Sequence, residues 1–253
     1  MSFKEESDRY ADCMMRKEPA LLKDLRETTT RELRHDDMLS GPVVGAFLNM
    51  LVRMSGAKTV LEIGTFTGYA TLWMAMALPP DGKVITCENN EKYAHIARRF
   101  FDRYRLEWPE TGDGRRRALE KVAEADKFNE PFQRPGTPAG IQLLLGPALQ
   151  AGLPEVIDFV FLDADKENYP EYYEKILPHL APGAIMVVDN AFWNGEVWRP
   201  ELQRVQRGNV AGGSPSNRKA AAIDRLNRLI ADDPNVENVM LSVRDGLHLI
   251  RKI

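Results

Sequence analysis

Two stretches of this 253-residue chain, IDFVFLDADKENY and IMVVDNAFWNGEV, each run an apolar strand directly into acids and amides. Phe159 to Leu162 and Ile185 to Val188 show no polar alternation, so both faces of each strand must be covered, as in a parallel sheet. Asp163 and Asp189 then fall just past the carboxyl ends of these strands. In an open α/β sheet that edge is where ligands bind. An Asp at such an exit also serves as the N-cap of a following helix. Two matching exits in one chain, the second adding Asn190, favour a site over a pair of caps.

The rest of the chain supplies the alternation a doubly wound sheet requires. From about Pro19 to Met54 the pattern is helical, with ALLKDLRETTTREL and VVGAFLNMLVRM separated by the breaker MLSGP. TVLEIG, then TFTGYATLWMAMAL, reads as strand, glycine turn and helix; KVITCEN and EKYAHIARRFFDRYRLEW repeat the unit. IQLLLG is a third strand, with GPALQAG opening a short helix. KAAAIDRLNRLIADD is a late helix, and NVENVMLSV with GLHLIRKI closes the chain as a hairpin over RDG. The expectation is one α/β domain over 1–253: a doubly wound sheet with N-terminal helices and a C-terminal antiparallel hairpin.

Between about Glu107 and Gly140 the composition turns charged and rich in Pro and Gly, and 106–139 reads as a surface insertion with a short helix around RRRALEKVAEADKF. Acids surround Arg115, Arg116 and Arg117, and the chain's net charge is -3, so neither nucleic acid nor an anionic membrane is an expected partner. The N-terminus MSFKEESDRY lacks the apolar core of a signal peptide, and no stretch is long enough to span a membrane. Only Cys13 and Cys87 are present, so a disulfide scaffold is not expected and a reducing, cytoplasmic setting is. His35, His95, His179 and His248 are scattered without zinc-site spacing.

The first loop, EIGTFTGYA, brings the backbone close to a ligand at Gly64 and Gly68 but lacks the G-x-G-x-x-G that receives a pyrophosphate. Glu88 ends the second strand about 20 residues beyond Gly68, where an acid accepts from both ribose hydroxyls. A nucleoside without a diphosphate fits these two features better than a dinucleotide.

VLEIGTFTGYAT, Glu88, GPA, LDADKENY and VDNAFWNG together resemble the cation-dependent S-adenosylmethionine O-methyltransferases of the caffeoyl-CoA and catechol type, from about Met38 to Ile253. The resemblance implies a class I methyltransferase, Rossmann-like fold and methyl transfer to a hydroxyl of a vicinal diphenol. It implies that Asp163, Asp189 and Asn190 hold a metal; three hard oxygen donors suit Mg²⁺, with Mn²⁺ or Ca²⁺ possible. Lys166 matches the general base, aided by the cation beside it, with Asp163 its catalytic companion. Met38, Leu39, Glu62, Gly64, Thr65, Ala70, Glu88, Ala148, Asp163, Asp165 and Tyr172 match the surroundings of the methyl donor. Asp165 also reads as a cap for the helix near Asn168. Tyr172 and Asn194 match the acceptor pocket, Trp193 reads as a wall for an aromatic ring, and Gly208 to Ser216 reads as a lid. A homodimer is expected from the resemblance.

The insertion and the first twenty residues depart from the plant enzymes, where the N-terminal segment helps to hold coenzyme A. A free catechol, hydroxycinnamic acid or flavonoid therefore fits as an acceptor as well as a CoA ester does. Two other readings stand beside this one: a non-catalytic S-adenosylmethionine-binding protein, and an NAD(P)-dependent oxidoreductase, which would need the missing pyrophosphate loop.

Overall fold

A computed structural model describes residues 3–15, 17–34, 38–107, 139–199 and 215–253. Helices α1 (Phe3–Met14), α2 (Ala20–Leu33) and α3 (Gly41–Ser55) lead into β1 (Thr59–Ile63), α4 (Tyr69–Ala75), β2 (Lys83–Glu88), α5 (Glu91–Glu107) and β3 (Gly140–Leu145). β4 (Ile157–Leu162), α6 (Tyr169–Ile176), β5 (Leu180–Asp189), α7 (Pro215–Asp232), β6 (Val236–Leu241) and β7 (Leu247–Lys252) follow. The seven strands form one sheet in the order β3-β2-β1-β4-β5-β7-β6. β1 to β5 run parallel, and β7 pairs antiparallel with both β5 and β6. This is the expected α/β architecture with its closing hairpin.

The missing alternation in the central strands has a direct cause, because successive side chains enter two different cores. Val60, Phe159, Phe161 and Val187 pack with Leu22, Leu48, Leu72 and Phe100 of α2 to α5. Leu61, Ile63, Val160, Leu162, Met186 and Val188 pack on the other side with Ile176 of α6 and Ile223, Leu226 and Ile230 of α7. Each fully buried side chain of this size contributes about 1.5–3 kcal/mol, so neither face tolerates a polar residue cheaply.

Several elements differ from the sequence reading. β5 begins at Leu180, five residues before the apolar run, and its register shifts between Ile157 and Phe159 of β4. Pro182 and Gly183 fall in that irregularity, where Pro's missing donor costs no ladder bond. α4 is shorter than its apolar pattern, and α7 starts four residues earlier than Lys219. α1 has no counterpart in the sequence reading. The segment 108–138 of the expected insertion, with Arg115, Arg116 and Arg117, lies outside the described residues, as do His35 and all of the expected lid except Pro215 and Ser216, which open α7.

Two residues at the end of β1 shape the sheet's carboxyl edge. Gly64 has φ +100°, and a Cβ there would collide with the backbone carbonyl of Asp163, beyond the neighbouring strand. Only glycine permits the two strand exits to pass so closely. Glu62, on the α4 face, is fully buried; its Oε2 accepts from Thr71 and Thr86, the latter at 2.5 Å, and its Oε1 has no partner. Burial pushes its carboxyl up to about 8, against the opposing hydrogen bonds of the two threonines.

Gly64→Ala should therefore lower stability by more than about 2 kcal/mol in urea unfolding, because collision adds to left-handed strain. Gly56→Ala, at φ +66° with open space around it, should cost only about 1 kcal/mol. Equal losses would mean that the strand exits simply move apart. For Glu62, the folded state keeps a proton that the unfolded chain releases above its ordinary 4.5. Its contribution is thus full below about 4.5 and lost as pH rises towards 8, by up to about 1.4 kcal/mol per pH unit. Glu62→Gln removes this loss, so stability of the variant relative to the natural chain should rise between pH 5 and 8. A constant difference across that range would show that Glu62 is ionised in the folded protein.

Candidate active site

The register Leu162↔Val188 sets the exits of β4 and β5 side by side, so Asp163 and Asp189 stand together at the sheet's carboxyl edge. A cleft of about 910 Å³ opens there. Of the residues picked from the sequence, Met38, Leu39, Gly64, Thr65, Ala70, Glu88, Ala148, Asp163, Asp165, Lys166, Tyr172, Asp189, Asn190, Trp193 and Asn194 all line it. Gly68 does not, because it faces Phe101 and Ala97 of α5, and neither does Glu62. It lies beneath the floor, joined to cleft-lining Thr65 through Thr86, whose hydroxyl is 2.5 Å from that of Thr65. A groove of about 950 Å³ between α6 and α7 shares no lining residue with the cleft.

At one end, the Glu88 carboxylate is held by three backbone donors: Phe66 N at 2.7 Å, Asn89 N at 2.9 Å and Asn90 N at 2.8 Å. Burial pushes its carboxyl upward, and these N–H groups oppose that. The result is a rigid acid at the strand end, ready to accept from hydroxyls. Phe66 and Tyr93, neither singled out from sequence, meet edge to face with ring centroids 4.8 Å apart beside it.

At the other end, Lys166 Nζ donates to Asp163 Oδ1 at 2.7 Å and to the Tyr169 hydroxyl at 2.6 Å. Tyr169 is fully buried, and its hydroxyl lies 3.4 Å from the Asp189 carbonyl oxygen, so it fixes the lysine against the end of β5. Asp189 is raised well above the usual carboxylate range, first by burial and then by the charge of Asp163. Lys166 offsets part of this like-charge strain. Asn190 has φ +58°, a left-handed conformation that Asn tolerates better than most residues. Its Nδ2 donates to Asp245 Oδ2 at 3.2 Å, and its amide oxygen has no partner among the described residues.

Asp165 makes no side-chain cap; its carboxylate instead accepts from Asn168 Nδ2 and from the Tyr172 hydroxyl, the latter at 2.7 Å. Tyr172 thus sits against Asp165 as a cleft wall. Trp193 lies nearer the mouth, where its Nε1 donates to Ser216 Oγ at 3.3 Å and Lys219 Nζ stands 5.7 Å from its ring centroid. Arg244, not singled out from the sequence either, donates to the carbonyls of Leu39 and Ser40 and so ties the last turn of the chain to the other rim. Asp245 and Arg244 belong to the RDG turn, whose local signal is that of a hairpin and nothing more.

The donor set at this end is two carboxylates and one amide, all hard oxygen donors. Among the described residues there is no group of three or more His, Cys, Asp or Glu placed to hold a metal ion. The three residues nevertheless fit a divalent cation, since Asp189 and Asp163 repel one another and the Asn190 oxygen has no partner among the described residues.

The family model described as O-methyltransferase matches residues 13–108 and 106–253. The chain is 33% identical over 243 residues to caffeoyl-CoA O-methyltransferase 1 of Eucalyptus globulus, covering 94% of this chain and 83% of that protein. It is 31% identical to flavonoid 3',5'-methyltransferase of Vitis vinifera, over 92% of this chain and 86% of the relative. Its fold matches the crystal structure of the O-methyltransferase TomG from Streptomyces achromogenes in complex with SAM, with a TM-score of 0.72, 26% identity and coverage of 100% and 99% of the two chains. The sheet, its strand-end cleft and these likenesses agree with the resemblance read from the motifs: the chain belongs to the O-methyltransferase family, whose members use S-adenosylmethionine.

Proposed function

We propose that this protein transfers a methyl group from S-adenosylmethionine to one hydroxyl of a vicinal diphenol of the catechol, hydroxycinnamic or flavonoid type, and that it needs a divalent cation to do so. The observation that carries this reading is the shared wall of the cleft: Asp163 and Asp189 side by side, Asn190 with its oxygen unpartnered among the described residues, and Lys166 fixed between Asp163 and Tyr169.

Glu88 binds the donor's ribose diol, and Gly64, Thr65, Ala70 and Ala148 let the chain approach it closely. Leu39 and exposed Met38 close the far rim, Asp165 and Tyr172 form the wall towards the adenine, and Glu62 supports the floor from below. Asp163, Asp189 and Asn190 would hold Mg²⁺, or Mn²⁺ or Ca²⁺, whose charge favours the ionised form of an acceptor hydroxyl. Lys166 Nζ, in its neutral amine form, receives the acceptor's proton, with Asp163 and the Tyr169 hydroxyl keeping it in place. Trp193, Asn194 and Tyr172 orient the aromatic ring, which makes positioning the chain's main contribution.

The whole chain acts as one domain, with 106–139 a surface insertion. Met50 and Met54 of α3, exposed by 59% and 77%, support a homodimer formed by the leading helices. Cys13 and Cys87 are both free, which supports a reducing, cytoplasmic setting. Neither nucleic acid nor membrane is a partner on this reading; among the described residues no helix is long and apolar enough to cross a membrane.

Methyl transfer to a panel of catechols and matched monophenols tests the reading. Transfer should be confined to catechols, disappear with EDTA and return with Mg²⁺. Transfer that persists in EDTA, or reaches monophenols equally, would remove the metal from the mechanism. Lys166→Met should lower kcat by about 10²–10⁴ while S-adenosylhomocysteine affinity stays near that of the natural chain. A variant retaining full kcat would assign the proton transfer to another group.

A further inference from the structure

The turn between β6 and β7 reaches the cleft although nothing in SVRDG marks it as part of a site. Asp245 uses its two oxygens separately: Oδ2 accepts from Asn190 Nδ2 at 3.2 Å, and Oδ1 from the backbone N of Asn194 at 2.6 Å. The backbone is pinned as well, with Ala191 N donating to Gly246 O and Phe192 N to Asp245 O, both at 3.0 Å. The segment so held contains Asn190, Trp193 and Asn194 at φ +58°, +45° and +52°. Each left-handed non-glycine residue is strained, and such a loop keeps its shape only where its surroundings over-determine it.

An amide side chain has two chemically opposite ends, whereas a carboxylate only accepts. Asp245 therefore admits only the NH₂ end of Asn190, and the carbonyl end is left for the cleft. If the amide turned over, two acceptors would face each other at Asp245, and an NH₂, which cannot ligate a cation, would take the place of the oxygen.

We propose that Asp245 is a positioning residue that fixes the Asn190 amide with its oxygen, and never its NH₂, offered to the divalent cation, while pinning the Asn194 backbone beside it. This rests on the reading of Asp163, Asp189 and Asn190 as a cation site. An amide in place of the Asp245 carboxylate offers oxygen or NH₂ equally well, so Asn190 loses its instruction. In an Asn190→Asp background the logic reverses, because the carboxylate introduced there needs a donor opposite it and Asp245 supplies only repulsion.

The test is Mn²⁺ binding to the full chain, read from the electron paramagnetic resonance signal of the free ion with no methyl donor or acceptor present. Asp245→Asn should weaken binding about 10–100-fold in the natural background. In the N190D background the same substitution should strengthen it, and this change of sign separates orientation from the mere loss of a negative charge. S-adenosylhomocysteine affinity, measured in parallel by calorimetry, should stay within about two-fold, as for other changes outside a ligand's contacts. Weakening by the same factor in both backgrounds, unchanged Mn²⁺ binding, or loss of S-adenosylhomocysteine binding together with Mn²⁺ would each overturn the proposal. A natural chain that binds no Mn²⁺ would overturn it and the metal reading together; a natural chain that binds Mn²⁺, with Asp245→Asn unaffected, would overturn the positioning role alone.

Discussion

The parallel register between β4 and β5 is the constraint on which the site depends. With Leu162 opposite Val188, the residue after β4 and the last of β5 are forced into proximity, and both are aspartates. Two apolar cores hold that register from either side of the sheet, so the carboxylates cannot separate without exposing Phe159, Phe161, Met186 or Val188. The cost of the pairing is carried locally. Lys166 lies against Asp163, Tyr169 holds Lys166, and the Tyr169 hydroxyl also reaches backbone carbonyls at the ends of both strands. Core packing and site electrostatics are therefore one problem: hydrophobic burial supplies the force that keeps like charges together.

Much of this is legible in the sequence because strand exits are local signals. An unbroken apolar run ending in Asp identifies both a covered strand and the edge where it stops, and the glycines of EIGTFTGYA mark the close passage that Gly64 makes beside Asp163. The positions read from these motifs come together in one cleft because the parallel topology brings every strand end to the same edge. Glu62 differs for a reason the pattern contains. It alternates with Leu61 and Ile63, so its side chain points to the α4 face, where Thr71 and Thr86 receive it, and away from the opening.

What stays hidden depends on contacts between distant segments. Asp245 and Arg244 lie about fifty and two hundred residues from the groups they hold, and their turn reads as an ordinary hairpin. Tyr169 closes the motif LDADKENY, but its buried hydroxyl acquires a purpose only once the 3₁₀ turn at Lys166–Asn168 points the lysine back onto it. The early start of β5 is obscured by Pro182 and Gly183, which read as a break and in the fold occupy a bulge. No periodicity carries such information, since each case is a pairing made by the tertiary fold.

The balance of charge along the cleft bears on the chemistry. Glu88, Asp163, Asp165, Asp189 and Asp245 line the cleft, opposed by Lys166, Lys219 and Arg244, and the Arg244 guanidinium is engaged with backbone carbonyls. Such an acidic wall suits a cationic methyl donor and disfavours an anionic acceptor, because nearby negative charge raises the pKa of any hydroxyl that must ionise. Lys166 cannot reverse this alone, since its Nζ is already engaged with Asp163 and Tyr169. On the proposed reading the conflict is resolved where the acceptor binds: a divalent cation held by Asp163, Asp189 and Asn190 would offset the acids' charge and favour the ionised hydroxyl, and Lys166, which accepts a proton only as the neutral amine after giving one up to solvent, would act as the base. On this argument the acids and the lysine are complementary parts of one device: the acids would hold the charge that favours the ionised hydroxyl, and the lysine would take the proton the hydroxyl releases.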